Sequence, residues 1–383
     1  MPSIPLVVAA ICALLALAGT AYFALSMWAA SGFQREMKDK TRPRFAPPVS
    51  ILRSLKGLDP HMYLAFRSHC LLDYGEYEVL FGVSDANEPA LALVQKLQEE
   101  FPLLQLRVVQ CPLVLGMNGK VSNLAQMLPQ AKYEYIVIND SDILVSRDYL
   151  QRVVAPLVSP KVGMVTTLYR GLAGKTLGSR LEALGLNTDF AGGVLVARAL
   201  EGIRFGLGAT IATTKTVLRE IGGLEPLVDY LGDDYELGAR TAGAGYQVEL
   251  ADLVVETALP DYGFGDFWVH QLRWARNVRD RRPMQYIGLI VTFALAWAVF
   301  AVIAAPFARW TSAVLVLTTA VRFSAAVRLG RGVLGDPRLI RALWLLPMRD
   351  FIALAVWLVS FAGQEVEWRG ERFRLRKGKL HRS

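Results

Sequence analysis

Two carboxylates, Asp140 and Asp142, close the apolar run YIVINDSDI at residues 135–143. Side chains of an extended strand alternate with period two, so both face one side if the strand geometry persists. Two negative charges held that close repel unless a cation lies between them. Mg2+ or Mn2+ suits such a place, being a hard cation that takes one or two carboxylates together with phosphate oxygens. The same D-x-D also fits a solvated acidic turn, so its weight depends on what accompanies it.

Asp85 ends an earlier apolar run, in GVSDANEP. Asp233 and Asp234 stand in YLGDDYELGAR, just before a helix-like stretch. An acidic residue there can also serve simply as an N-cap. In HQLRWARNVR, His270, Arg273, Trp274 and Asn277 fall at i, i+3, i+4 and i+7, which is one helix face. The same segment reads as a basic amphipathic helix on a membrane surface, a role that Arg276, Arg279, Arg281 and Arg282 suit. Arg273 and Trp274 suit a site better, because a guanidinium grips phosphate in planar fashion.

These residues need elements to position them. Short apolar runs at 48–57, 77–85, 104–111 and 133–142 have strand length. Helix-like stretches at 60–72, 88–101 and 120–131 separate them. That alternation predicts a mostly parallel sheet covered on both faces. Ligands of such sheets bind beyond the carboxyl ends of the strands, where Asp85 and the Asp140/Asp142 pair lie. The cysteines, Cys12, Cys70 and Cys111, show neither metal-ligand spacing nor a disulfide framework, which points to a reducing compartment around the polar part.

The chain of 383 residues is 53% hydrophobic, high for a purely soluble protein. Residues 4–30 carry no charge. They can cross a bilayer core of about 30 Å at about 1.5 Å per residue. A cleaved signal peptide would want a basic start, yet the first charge is Arg35. The following FQREMKDKTRPR holds five basic residues, which places this flank in the cytoplasm and the N-terminus outside. Further spans are expected at 286–307 and 310–327, with Arg322 placed to snorkel to the interface. The run 351–363 holds 13 residues, short of the roughly 20 that a span needs. Extending it back to Leu339 puts Arg349 and Asp350 in the bilayer, costly unless they pair in a protein interior. An interfacial or re-entrant segment is therefore expected, with the basic tail WRGERFRLRKGKLHRS in the cytoplasm. The formal net charge is +8. Its basic residues cluster beside hydrophobic segments, which favours contact with phospholipid over nucleic acid.

As a series, SLKGLDP, GVSDANEP, GMNGKVSNL, NDSDI, GDDY, HQLRW and WRGERFRL, framed by apolar segments, resembles the ceramide glucosyltransferase family. This is a lipid-directed branch of the family-2-like inverting GT-A glycosyltransferases, and its bacterial relatives include enzymes that place N-acetylglucosamine on hopanoids. The resemblance implies that Asp85 holds the uracil or ribose of a UDP-sugar and that Lys120 and Asn123 line the nucleotide pocket. It implies that Asp140 and Asp142 hold the diphosphate through Mg2+ or Mn2+. Asp234 matches the general base, with Asp233 beside it. Arg273 and Trp274 match the end of a Q/R-x-x-R-W motif that meets diphosphate and acceptor. His270 stands where that motif has Gln or Arg, and it lacks a permanent charge.

The expected architecture is thus α/β: a GT-A domain, Rossmann-like with a mostly parallel sheet, between N-terminal and C-terminal transmembrane helices. Its parts are an anchor (1–32), a cytoplasmic catalytic domain with an interfacial helix at 266–282 (45–282), a C-terminal membrane region (283–363) and a basic cytoplasmic tail (364–383). The expected reaction moves glucose from UDP-glucose to ceramide. Transfer of N-acetylglucosamine to a hopanoid is the alternative within that chemistry. A processive polysaccharide synthase shares these motifs but usually needs more spans, and a non-catalytic lipid-binding protein would not need the carboxylates.

Overall fold

The computed structural model describes residues 4–38, 45–59, 61–368 and 370–382. Residues 39–44 of the basic flank, with Arg369 and Ser383 of the tail, lie outside the described residues. Strands β1 (Val49–Ser54), β2 (Tyr77–Val83), β3 (Gln105–Gln110), β4 (Tyr135–Ile138), β5 (Ile143–Leu144), β6 (Val162–Leu172), β7 (Ile211–Thr214) and β8 (Gln247–Ala258) form one sheet. Its order is β3-β2-β1-β4-β7-β6-β8-β5. The β3-β2-β1-β4 half is parallel throughout, as is the β6–β8 pair. β7 runs antiparallel between β4 and β6, and β5 antiparallel on β8. Every residue of β2 is buried, so YEVLFGV needs no polar alternation. The helix Gly119–Met127 crosses it so closely that a Cβ on Gly82 would stand 2.2 Å from Met127 Sδ.

The run expected as strand over 133–142 is strand only to Ile138. Asp140–Ser141–Asp142 turns away from the sheet, with Ile143 N bonded back to Asp140 O at 3.4 Å. Period-two alternation therefore does not explain why both carboxylates face one space; the turn does. Arg53 on β1 holds that turn. Its Nη2 donates to the carbonyls of Asp140 and Ser141, each at 2.9 Å. The guanidinium is fully buried over the Phe66 ring, and its Nη1 donates to His69 Nδ1 at 2.6 Å. Burial and the neighbouring Arg53 charge hold His69 neutral, well below its usual range.

Among the described residues, three helices are long and apolar enough to cross a membrane: Ile4–Lys38, Arg309–Val333 and Leu339–Ser360. A further apolar pair, Pro283–Thr292 and Ala294–Ala304, is bent by 57°. The chain is a membrane protein. Ile4–Lys38, Ala294–Ala304 and Arg309–Ala326 pack on one another. A Cβ on Gly19 would come within 2.1 Å of the Val291 carbonyl, so glycine permits this crossing.

Three expectations for this region change. The segment at 286–307 is broken at Phe293 rather than straight. The run at 351–363 is the end of a 22-residue helical stretch that begins at Leu339. Each end of that stretch touches the sheet domain or its flanking surface helix. Leu345 and Leu346 cluster with Leu181, Leu184 and Phe267, while the Ser360 carbonyl accepts from Arg279. Arg322 does not snorkel. It is wholly buried and binds Asp350 and Asp189, each at 2.7 Å. Asp350 thus pairs with Arg322, and Arg349 instead donates to Gln271 Oε1 at 2.9 Å.

The basic tail folds. Strands β9 (Glu365–Trp368), β10 (Glu371–Arg376) and β11 (Lys379–Arg382) form an antiparallel sheet. Its apolar face, Val366, Phe373, Leu375 and Leu380, packs on Met117 and Leu231. Leu380 N donates to Asp229 O at 2.7 Å, and Leu231 N to Gly378 O at 3.1 Å. The tail therefore grips the segment that leads into Asp233 and Asp234.

Candidate active site

A cavity of about 880 Å³ opens beyond the ends of β1 and β4. Asp140, Asp142, Asp233, Asp234, Lys120, His270, Arg273 and Trp274 all line it. Sequence positions from 120 to 274 thus meet in one space. Asp233 and Asp234 open the helix Asp233–Gly243. Neither is its N-cap, since Gly232 holds that place; both lie in the first turn, where the helix dipole favours negative charge.

Lys120 links the two acidic pairs. Its Nζ lies 2.6 Å from Asp140 Oδ1 and 3.2 Å from Asp233 Oδ2. Burial opposes the ammonium, but Asp140, Asp233 and Asp234 outweigh it and raise its affinity for the proton. Asn118 builds the turn that presents Lys120. Its Oδ1 caps the helix Gly119–Met127 by accepting from Val121 N at 3.2 Å. Its Nδ2 donates to Tyr230 O at 2.8 Å and Asp233 Oδ1 at 3.3 Å.

The two members of the second acidic pair differ. Asp233 is tied to Lys120 and Asn118. Asp234 is held above the ordinary carboxylate range by burial and then by the Asp233 charge. Gly208 makes room for the carboxylates. A Cβ there would stand 2.9 Å from Asp140 Oδ2 and 3.2 Å from Asp234 Oδ2.

Asp142 is pushed up to about 6 by burial and by the Asp140 charge. Its Oδ2 accepts from Thr257 Oγ1. Two crowded carboxylates, one of them desolvated, are a donor set of hard oxygens that fits a divalent cation. No cluster of three or more His, Cys, Asp or Glu arranged for a metal occurs among the described residues. Phosphate oxygens of a substrate would have to complete the coordination.

On the helix Phe264–Arg281, Trp274 Nε1 donates to His270 Nε2 at 3.0 Å. The neutral ring proton therefore sits on Nδ1, which donates to Glu182 Oε2 at 3.1 Å. Glu182 is buried. Burial raises it, but the hydrogen bond from His270, with other partners, brings it below its usual range. His270 thus orients Trp274 through a fixed tautomer.

Two expected residues lie elsewhere. Asp85 is exposed, accepts from Asn87 N at 2.8 Å, and is not among the residues lining the cavity. Asn123 lies behind the wall, where its Nδ2 donates to the cavity-lining Ser54 Oγ at 3.1 Å. Arg53, Asn118, Glu182 and Gly208 escaped the sequence reading. Only the Gly-rich RFGLGA at 204–209 carried a signal, two glycines alternating beside a buried strand.

Fold and site together define a GT-A glycosyltransferase. A mannosyltransferase from Pyrobaculum calidifontis, solved with GDP-Man and Mn2+, shares the fold at a TM-score of 0.53, covering 91% of this chain and 99% of that one at 19% identity. The profile of glycosyl transferase family 21 matches residues 11–381, and the chain belongs to that family. Ceramide glucosyltransferase 3 of Caenorhabditis elegans is 23% identical over 87% of this chain and 73% of its own. Ceramide glucosyltransferase of Komagataella phaffii is 34% identical over 32% of this chain and 26% of its own.

Proposed function

We propose that this glycosyltransferase moves a sugar from a UDP-sugar to the hydroxyl of a membrane lipid, glucose to ceramide being the reaction its relatives' names favour. One observation carries the reading. The cavity that holds Asp140, Asp142 and Asp234 is also lined by Tyr22, Phe23, Phe293, Leu329 and Trp357, residues of the apolar helices. A charged donor and a lipid acceptor can therefore meet in one space.

In the proposed mechanism Asp140 and Asp142 face the donor diphosphate. A bound divalent cation would neutralise charge on that diphosphate as it leaves. Arg273 lies where it can oppose the same charge. Asp234 takes the proton from the acceptor hydroxyl, whose oxygen forms its bond to the anomeric carbon as the bond to UDP breaks. Asp234 suits this role over Asp233 because burial raises its proton affinity, while Lys120 and Asn118 engage Asp233. A single displacement inverts the anomeric centre, so an α-linked donor gives a β-glycoside.

The catalytic domain is placed on the cytoplasmic side, on the strength of the basic flank after the first helix. The tail sheet is bonded to the catalytic domain, so the chain after residue 282 crosses an even number of times. The contacts at both ends of 339–360 support an interfacial path for that stretch, leaving 283–304 and 309–333 as the crossing pair.

The test is direct. Purified enzyme is incubated with UDP-glucose or UDP-N-acetylglucosamine, each with ceramide or a hopanoid polyol, and products are identified by mass. β-Glucosylceramide is the expected product. N-acetylglucosaminyl hopanoid would replace the donor and acceptor assignment, and no lipid product from any combination would refute lipid glycosylation.

A further inference from the structure

The helical run 177–201 is interrupted by a wide π-helical turn, Leu186–Phe190. Such turns add a residue to the helical circuit and recur at functional positions. This one carries Asp189 to the cavity, on the side facing the membrane helices. Its Oδ1 receives Arg322 Nη2 at 2.7 Å. Arg322 is immobilised: it is fully buried, paired with Asp350 and stacked 4.6 Å from the Phe23 ring centroid. Yet the Asp189 side chain keeps 34% of its surface exposed. The ion pair thus fixes the carboxylate without covering it.

The space beside Asp189 is shaped for a ligand. Gly192 and Gly193 line the cavity next to it. A Cβ on Gly193 would meet only the Tyr22 hydroxyl, at 3.7 Å. The surrounding Phe23, Phe293 and Leu329 are apolar. Towards the other end, Tyr169 packs on Phe190 with ring centroids 5.0 Å apart. Burial and then the charge of Asp234 raise the Tyr169 phenol well above its usual range. Asp189, Phe190, Tyr169 and Asp234 thus line one continuous cavity.

We propose that Asp189 selects the acceptor, receiving a hydrogen bond from a second hydroxyl or an amide N–H close to the reacting hydroxyl of a neutral lipid. The inference rests on the lipid-glycosylation reading. A carboxylate accepts and does not donate, so a lipid whose only donor is the reacting hydroxyl offers nothing to the side of Asp189 that the Arg322 pair leaves exposed. An anionic headgroup would meet a negative charge whose guanidinium partner is already engaged. Asp189 is thus a specificity residue, distinct from the groups that move the proton.

The experiment uses the full-length enzyme in lipid–detergent micelles with its working UDP-sugar. Acceptors are ceramide, N-methylated ceramide and diacylglycerol, which has one free hydroxyl and no other donor. Wild type should favour ceramide over diacylglycerol by about 100-fold in kcat/KM, a fully buried site rejecting more strongly; N-methylated ceramide, which keeps its second hydroxyl, should fall with diacylglycerol if the amide N–H is the donor to Asp189 and stay with ceramide if the second hydroxyl is. Asp189→Asn keeps an acceptor oxygen and should shrink that ratio partly, and Asp189→Ala should shrink it at least tenfold, mostly through acceptor KM. UDP binding should not change. Equal use of ceramide and diacylglycerol by wild type overturns the inference, whether or not the variants fold. Folded variants that retain the wild-type ratio also overturn it. A wild type that glycosylates no lipid overturns the proposed function and this inference with it.

Discussion

Lys120 reaches across the cavity to Asp140, its Nζ 2.6 Å from Oδ1. An ammonium ion thus sits against a carboxylate of the pair proposed to hold a divalent cation. Lys120 and that cation would share the work of compensating Asp140. Lys120→Met should lower kcat/KM for the donor by about 100-fold, the scale for losing one electrostatic contact in a preorganised site. The Mn2+ concentration for half-maximal rate should change too. A titration with the wild-type midpoint and rate would show that Lys120 is structural only.

Asp234→Asn should keep UDP binding and cut turnover by about 100-fold or more, as expected for loss of a general base. The pH profile supplies a second check. A base must be unprotonated, so the rate falls as pH drops through its affinity for the proton. Burial and Asp233 raise that affinity, so the acid limb of kcat/KM should lie above the ordinary Asp value of about 3.9. An acid limb at or below that value would exclude Asp234.

With no cluster of three protein ligands among the described residues, divalent metal should bind weakly to the free enzyme and much more tightly when UDP is present. Calorimetry with Mn2+, with and without UDP, measures this. Asp142→Asn should abolish the gain. Full activity in excess chelator would defeat the metal assignment.

Gly208→Ala introduces a methyl group 2.9 Å from Asp140 Oδ2 and 3.2 Å from Asp234 Oδ2. Both carboxylates must shift. Activity should fall at least tenfold while the unfolding temperature changes little, because the carboxylate ends can move without disturbing the sheet. Wild-type turnover in this variant would mean that the two carboxylates need not hold their positions.

The three native cysteines are buried, so a single new thiol at an exposed position reports topology cleanly. His381 in β11 is exposed. His381→Cys should react with an impermeant maleimide only from the cytoplasmic side of sealed membranes. Labelling from the outside would place the tail and the catalytic domain there.

The acidic residues were legible because each stands where a recognisable pattern stops: an apolar run before Asp140, a helix start at Asp233. Arg273 and Trp274 were legible through helical spacing. What was not legible depends on partners far along the chain. Arg322 looked like an interfacial arginine, since nothing near it announces Asp189, 133 residues away. Arg53 lies inside an apparently apolar strand, and its partners are carbonyls 87 and 88 residues on. Asp85 is the reverse case. It ends a strand as Asp140 does, but its carboxylate caps its own turn. The antiparallel insertion of β7 also went unseen, because short runs such as IATT carry too little pattern to reveal a partner.

The bend at Phe293 has a kinetic consequence. The two halves of that helix meet at 57°, and Phe293 lines the cavity. On the proposed reading, one substrate arrives from water in three dimensions and the other within the leaflet in two. The acceptor's effective concentration is then its mole fraction in the bilayer, not its amount per volume. Diluting the acceptor with inert phospholipid at constant total amount should slow the enzyme, whereas diluting the whole suspension should change the rate per enzyme little once donor is saturating. Membrane composition would then govern this enzyme as directly as the supply of UDP-sugar.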